Sequence, residues 1–172
     1  MKPLSVIAIA LSLFVAGCSD DSPTTPSAST SPIFTAALSP ANEVPPVTNA
    51  ESTVSGTATV TLNTTRDSAG NVTSASATFA VTLGGFPAGS NITAAHIHEG
   101  APTCACPVVV NTGISSGQVT ITNNLASFTR ENIPVTAEVA NRLIANPAGF
   151  YFNVHSTLNG GGFARGGLVK TN

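Results

Sequence analysis

Charge is scarce in this chain: 8% of its 172 residues are Asp, Glu, Lys or Arg, where soluble domains carry roughly 25%. The polar surface must then come from Ser, Thr and Asn, as is common in exported β-proteins. Basic residues are the scarcer sign, six against eight acidic ones, and one of the six, Lys2, stands at the extreme N-terminus. No basic patch forms, which excludes a nucleic-acid footprint. No Walker-type loop occurs, and no G-x-G-x-x-G follows a strand pattern. No two carboxylates share a context that argues for glycosidase chemistry. No base stands beside a thiol to activate it as a nucleophile. Long apolar runs are lacking too. The one run of note, Leu4 to Ala16, is far short of the ~20 residues that span a bilayer as a helix.

That run has the length of a signal-peptide core, and Lys2 supplies the positive charge before it. It ends in Val15-Ala16-Gly17-Cys18, which resembles the lipobox of bacterial lipoproteins. Small residues let the chain lie extended in a peptidase site, and a thiol accepts the diacylglycerol. The expectation is a signal peptide over 1–17, lipidation of Cys18, and a protein held to a membrane on the extracytoplasmic side. Residues 18–31, rich in Ser, Thr, Pro and Asp, have almost nothing to bury and read as a flexible tether. Residues 32–172 are then one domain of about 140 residues, large enough for a core of its own.

Within that domain, apolar residues recur with period two, the signature of half-buried strands. Phe34, Ala36 and Leu38 alternate with Thr35, Ala37 and Ser39. Val54, Ala58, Val60 and Leu62 form a second stripe, and Ala75, Ala77, Phe79, Val81 and Leu83 a third. The turn segment Arg66 to Asn71 between the last two predicts a long hairpin. Shorter strands are expected at 93–98, 108–111, 118–122, 126–129, 150–155 and 163–169. One segment differs. In Thr136 to Ala145, Val139 with Leu143 and Ala140 with Ile144 recur at helical spacing. Thr136 can cap this helix, Glu138 suits its first turn, and Pro147 and Gly149 stop it. The predicted fold is all-β, a Greek-key-type β-sandwich with one short helix in a crossover.

Four short motifs lie along the domain. They are Leu38-Ser39-Pro40-Ala41-Asn42-Glu43-Val44-Pro45-Pro46, Ala95-His96-Ile97-His98-Glu99-Gly100, Phe152-Asn153-Val154-His155-Ser156 and Gly162-Phe163-Ala164-Arg165-Gly166. In sequence and in order they resemble the motifs of the CHRD domain, the module named for chordin. Gly167 stands where that family often has Gln, and Ala164 where a larger aliphatic is usual. The resemblance implies an extracytoplasmic β-sandwich. It does not supply an activity, because a fold does not imply a function. A non-catalytic binding or structural module with a protein or glycan ligand is the expectation.

The chain's three histidines all fall in these motifs. On a strand, residues i and i+2 face the same way, so His96 and His98 project together, and His155 shares a face with Tyr151 and Asn153. If the two strands are neighbours, three imidazoles can meet on one copper or zinc ion, and the alternative expectation is a metal-binding protein, with or without weak redox activity. Glu99, Asn153 and Glu43 are then candidates to orient the ligands. His-Ile-His-Glu also resembles the copper-ligand H-V-H-E of copper–zinc superoxide dismutases, but a dismutase site needs more histidines than this chain has. Weighed against a metal site is a network in which the histidines bond backbone carbonyls and lock loops. Cys104 and Cys106 are expected to pair in an oxidising compartment; addition of soft thiolates to a histidine site and pairing between molecules are the alternatives. Arg165 can clamp a carboxylate ligand or form an ion pair with Glu99 or Glu43.

Overall fold

The computed structural model describes residues 31–172. The predicted signal peptide, Cys18 and the tether up to Thr30 lie outside the described residues. The rest is the expected all-β sandwich. Its strands are β1 (Ile33–Leu38), β2 (Ser55–Arg66), β3 (Val72–Gly84), β4 (Ile92–Glu99), β5 (Val108–Asn111), β6 (Ile121–Thr122), β7 (Leu125–Val135), β8 (Phe150–Ser156), β9 (Ala164–Gly167) and β10 (Val169–Lys170). One sheet has the order β10-β1-β2-β3-β7-β6, the other β5-β4-β8-β9. All pairings are antiparallel. No helix of the described residues is long and apolar enough to cross a membrane.

The β2–β3 hairpin is the spine of the larger sheet, in register from Ser55 opposite Gly84 to Thr65 opposite Ser74. Its apolar stripes face inward: Ala58, Val60, Leu62, Ala77, Phe79 and Val81 are buried. From the smaller sheet Ala95, Ile97, Phe152, Val154 and Ala164 meet them. Phe79 and Phe152 touch across the sheets at 5.8 Å between ring centroids. Burying each such side chain is worth roughly 1.5–3 kcal/mol.

The helix α1 (Ala137–Ala145) carries the chain from the larger sheet to the smaller one, as expected. The Thr136 hydroxyl caps it by accepting from the Val139 N–H at 3.2 Å. Three strand boundaries differ from the sequence reading, the first being that the strand expected over 118–122 is only the two-residue β6. β7 continues past Thr129 to Val135, through Pro134. Proline is tolerated there because β6 covers only the first two residues of β7, which leaves the remaining outer edge without a partner needing its N–H. The expected single strand over 163–169 is two short strands in different sheets. Leu168 between them is buried, and its N–H bonds to the Phe150 carbonyl at 2.9 Å. Gly166 permits the chain's close approach to β1, since a Cβ there would run into the Ala37 carbonyl.

Candidate functional site

Because strand side chains alternate, the small sheet's other face carries what the core does not. His98 lies opposite Tyr151, His96 opposite Asn153, and Asn153 opposite Arg165. His155, two residues beyond Asn153, joins them. This polar face is largely shut off from water. Tyr151, Asn153 and Arg165 are buried to within 2% of complete, and His98 is 7% exposed. Three loops close over it, those holding Glu43, the two cysteines and Gly160–Gly162.

The histidines meet as the strand argument anticipates. One potential ligand nitrogen from each of His96, His98 and His155 lies within 4.8 Å of the others. His96 Nδ1 is 3.2 Å from His155 Nε2. Carbonyls decide the tautomers, because a carbonyl can only accept. His98 Nδ1 donates to the Cys106 carbonyl at 2.7 Å, and His155 Nδ1 to the Gly160 carbonyl at 3.0 Å. Both Nε2 atoms are thereby left as lone pairs. His98 Nε2 is buried and has no hydrogen-bond partner. The pKa of each ring is lowered, which favours its neutral form. The pKa of His96 is lowered to about 4, first by burial and then by repulsion from His155 and His98. Burial is also the main cause that lowers His98 and His155.

Of the expected orienting residues, Glu99 does not reach the cluster. Its carboxylate is taken by Arg142 of α1, at 2.7 and 2.8 Å, because it projects from β4 toward the helix that crosses between the sheets. Glu43 pairs with Arg165 rather than supporting His155; the ion pair closes at 2.6 and 2.7 Å and both side chains are 3% exposed. Burial raises the Glu43 pKa from its ordinary value, with Arg165 pulling in the opposite direction. Asn153 lies beside His96 in register, but its amide turns to the Gly161 carbonyl at 3.5 Å, and its Oδ1 is buried without a partner. Cys104 and Cys106 are joined as a disulfide.

Two contributors left little trace in the sequence. Tyr151 stacks flat on His98, with centroids 4.7 Å apart and planes at 3°, and Arg165 lies over the same ring at 4.8 Å. Glu51, 1% exposed, accepts from Ser156 at 2.6 Å and Asn159 at 2.5 Å. It thereby fixes the turn that presents the Gly160 carbonyl. A lone Glu among Asn, Ala, Ser and Thr carries no sequence signal for that role.

The CHRD domain family model matches residues 34–168. The chain therefore belongs to the CHRD domain family. All of the clustered histidines lie inside the matched span. No curated protein and no solved structure matches the chain significantly.

Two predictions follow from this burial. Arg165→Met strands the Glu43 carboxylate and should cost about 3–5 kcal/mol in denaturant unfolding. Adding Glu43→Gln should recover part of that loss. A single-variant cost below about 1 kcal/mol would show that the pair is not the anchor described. The second concerns acid. The folded histidines bind protons more weakly than the unfolded chain, so stability rises with pH between about 4 and 6.5. Metal-free protein should melt at a lower temperature at pH 5 than at pH 7, and His96→Gln should flatten the difference. Equal melting temperatures in the parent would contradict it.

Proposed function

We propose that this protein is a lipid-anchored, non-catalytic CHRD module of the cell envelope whose binding function is to hold one copper or zinc ion at His96, His98 and His155. The observation that carries the reading is the buried, unpartnered Nε2 of His98 beside two further imidazoles. A buried acceptor without a partner is costly, and an ion bound there would remove that cost.

The surroundings suit such a site. Three neutral imidazoles are the donor set of an open zinc centre, and they also suit copper. Zinc bound tetrahedrally at ~2.0–2.1 Å needs its nitrogens about 3.3 Å apart. The His96–His155 pair is at 3.2 Å, so His98 is the ring that would close in. Backbone carbonyls on the outer nitrogens of His98 and His155 are the usual partners of metal-binding histidines. The Cys18 lipobox supports the anchoring. A lipid there would contribute about 0.8 kcal/mol per buried methylene.

Elemental analysis tests the metal. Purified protein exposed to copper or zinc, then stripped of loose ions, should retain about one ion per chain. His96→Ala/His98→Ala should retain none while keeping its β-type circular dichroism. No ion in the parent would make the histidines structural and direct the search to protein or glycan partners. The anchor is tested separately. Mass spectrometry should find diacylglycerol on Cys18, and Cys18→Ser should move the protein from the membrane fraction to the soluble one. An unmodified Cys18 at the membrane would refute it.

A further inference from the structure

The Cys104–Cys106 ring stands directly behind His98. The Cys106 carbonyl holds the Nδ1 proton of His98 at 2.7 Å. The N–H of the same residue donates to the Tyr151 hydroxyl at 3.1 Å, and that hydroxyl donates to the Cys104 carbonyl at 3.0 Å. Arg165 donates to the Cys104 carbonyl as well, at 2.8 Å. Tyr151 in turn lies flat against the His98 ring. His98 is thus gripped at its outer nitrogen by the disulfide ring, and on its face by a tyrosine that the ring pins. The start of the loop is backed onto the same ring. Gly100 has φ +144°, and a Cβ on it would strike the Cys106 sulfur.

The ring is also within reach of solvent. Ala101, Thr103, Ala105 and Pro107 are exposed, and both cysteines are half-buried. The disulfide therefore lies in a surface loop, on the side of the small sheet away from the sandwich core.

We propose that the Cys104–Cys106 disulfide is a thiol–disulfide exchange site that sets how tightly the histidine cluster holds its ion; the inference rests on the metal reading above. The reductant is a dithiol. Its thiolate attacks one cysteine sulfur, the S–S bond breaks, and a mixed disulfide forms. The second thiol of the reductant then displaces the protein thiol. Two electrons and two protons have passed to the protein, which holds two thiols, and the reductant leaves as a disulfide. With the ring open, residues 104–106 regain backbone freedom, and the Cys106 carbonyl is no longer fixed opposite Nδ1. His98 loses the acceptor that keeps its proton on Nδ1 and its lone pair on Nε2. The Cys106 backbone meets His98 at Nδ1, the edge away from Nε2, so reduction loosens the grip behind the ligand. Loss of such an outer partner typically weakens metal binding about 10–100-fold.

The test uses the full chain and zinc, which has no redox chemistry of its own to confuse the readout. Zinc affinity is measured by competition with a chromophoric chelator for three forms: oxidised, reduced with a phosphine, and Cys104→Ser/Cys106→Ser. Tyr151→Phe is added because it removes the hydroxyl bonds and keeps the stacked ring. In parallel, the ring ¹⁵N shifts of His98 are recorded on metal-free protein. The expected result is affinity about 10–100-fold weaker in the reduced and double-serine forms, with Tyr151→Phe between them and the parent. The phosphine should do nothing further to the serine variant. His98 should leave its Nδ1–H pattern when the disulfide opens. Zinc held equally tightly in every form, or more tightly after reduction, overturns the proposal and leaves the metal reading standing. Zinc held in no form removes the metal reading, and the His98 shifts then decide the grip: unchanged shifts on reduction overturn it, and changed shifts uphold it.

Discussion

The polar face of the small sheet depends on one buried ion pair, Arg165 with Glu43. Taking both charges out of water costs several kcal/mol each, and only close geometry with further hydrogen bonds offsets it. Arg165 supplies those bonds. Besides Glu43 it donates to the carbonyls of Pro102 and Cys104, and it lies over Tyr151. Its backbone exchanges hydrogen bonds with Ser39, at the end of the first strand. One side chain near the C-terminus therefore fastens the loop after β1, the cysteine loop and the last strands of the domain. Remove its charge, and the Glu43 carboxylate is left without the partner that offsets its desolvation.

With that lid in place, the histidines sit in a medium that disfavours their charged forms. Burial is the first cause of all three lowered pKa values, and mutual repulsion adds to it at His96. The same burial that keeps them neutral prevents water from satisfying His98 Nε2. The lid thus leaves the ring nitrogens unprotonated, though less basic than a free imidazole, and leaves one of them without a partner. The disulfide loop, Tyr151 and Arg165 belong to one hydrogen-bonded unit with His98.

Periodicity carried much of the fold. The alternation in β2 and β3 is regular enough that their hairpin, and its turn, could be read off directly, and the helical stripe from Val139 to Ile144 with its Thr136 cap proved equally plain. The reading fell short where local chemistry and tertiary context disagree. Arg130-Glu131-Asn132 and Pro134 look like the end of a strand, yet β7 runs through them because β6 covers only its first two residues and leaves its outer side unpaired there. Phe163 to Val169 looks like one strand, yet the chain changes sheets at Leu168. At the site, the i, i+2 rule placed His96 and His98 together. No local rule could say that Glu99 would turn to a helix 43 residues away, or that Tyr151 would stack on His98.

By itself the sequence determined the all-β class, the family and the identity of the histidines. Each of these follows from local periodicity or from short motifs, which act over a few residues. Only the tertiary structure decided the partners: Glu43 for Arg165 across 122 positions, the Cys106 carbonyl for His98, and the Gly160 carbonyl for His155. Those choices are made by which loops cover the outer face of the small sheet. That covering is set by packing two sheets against each other, a constraint that no short stretch of chain contains.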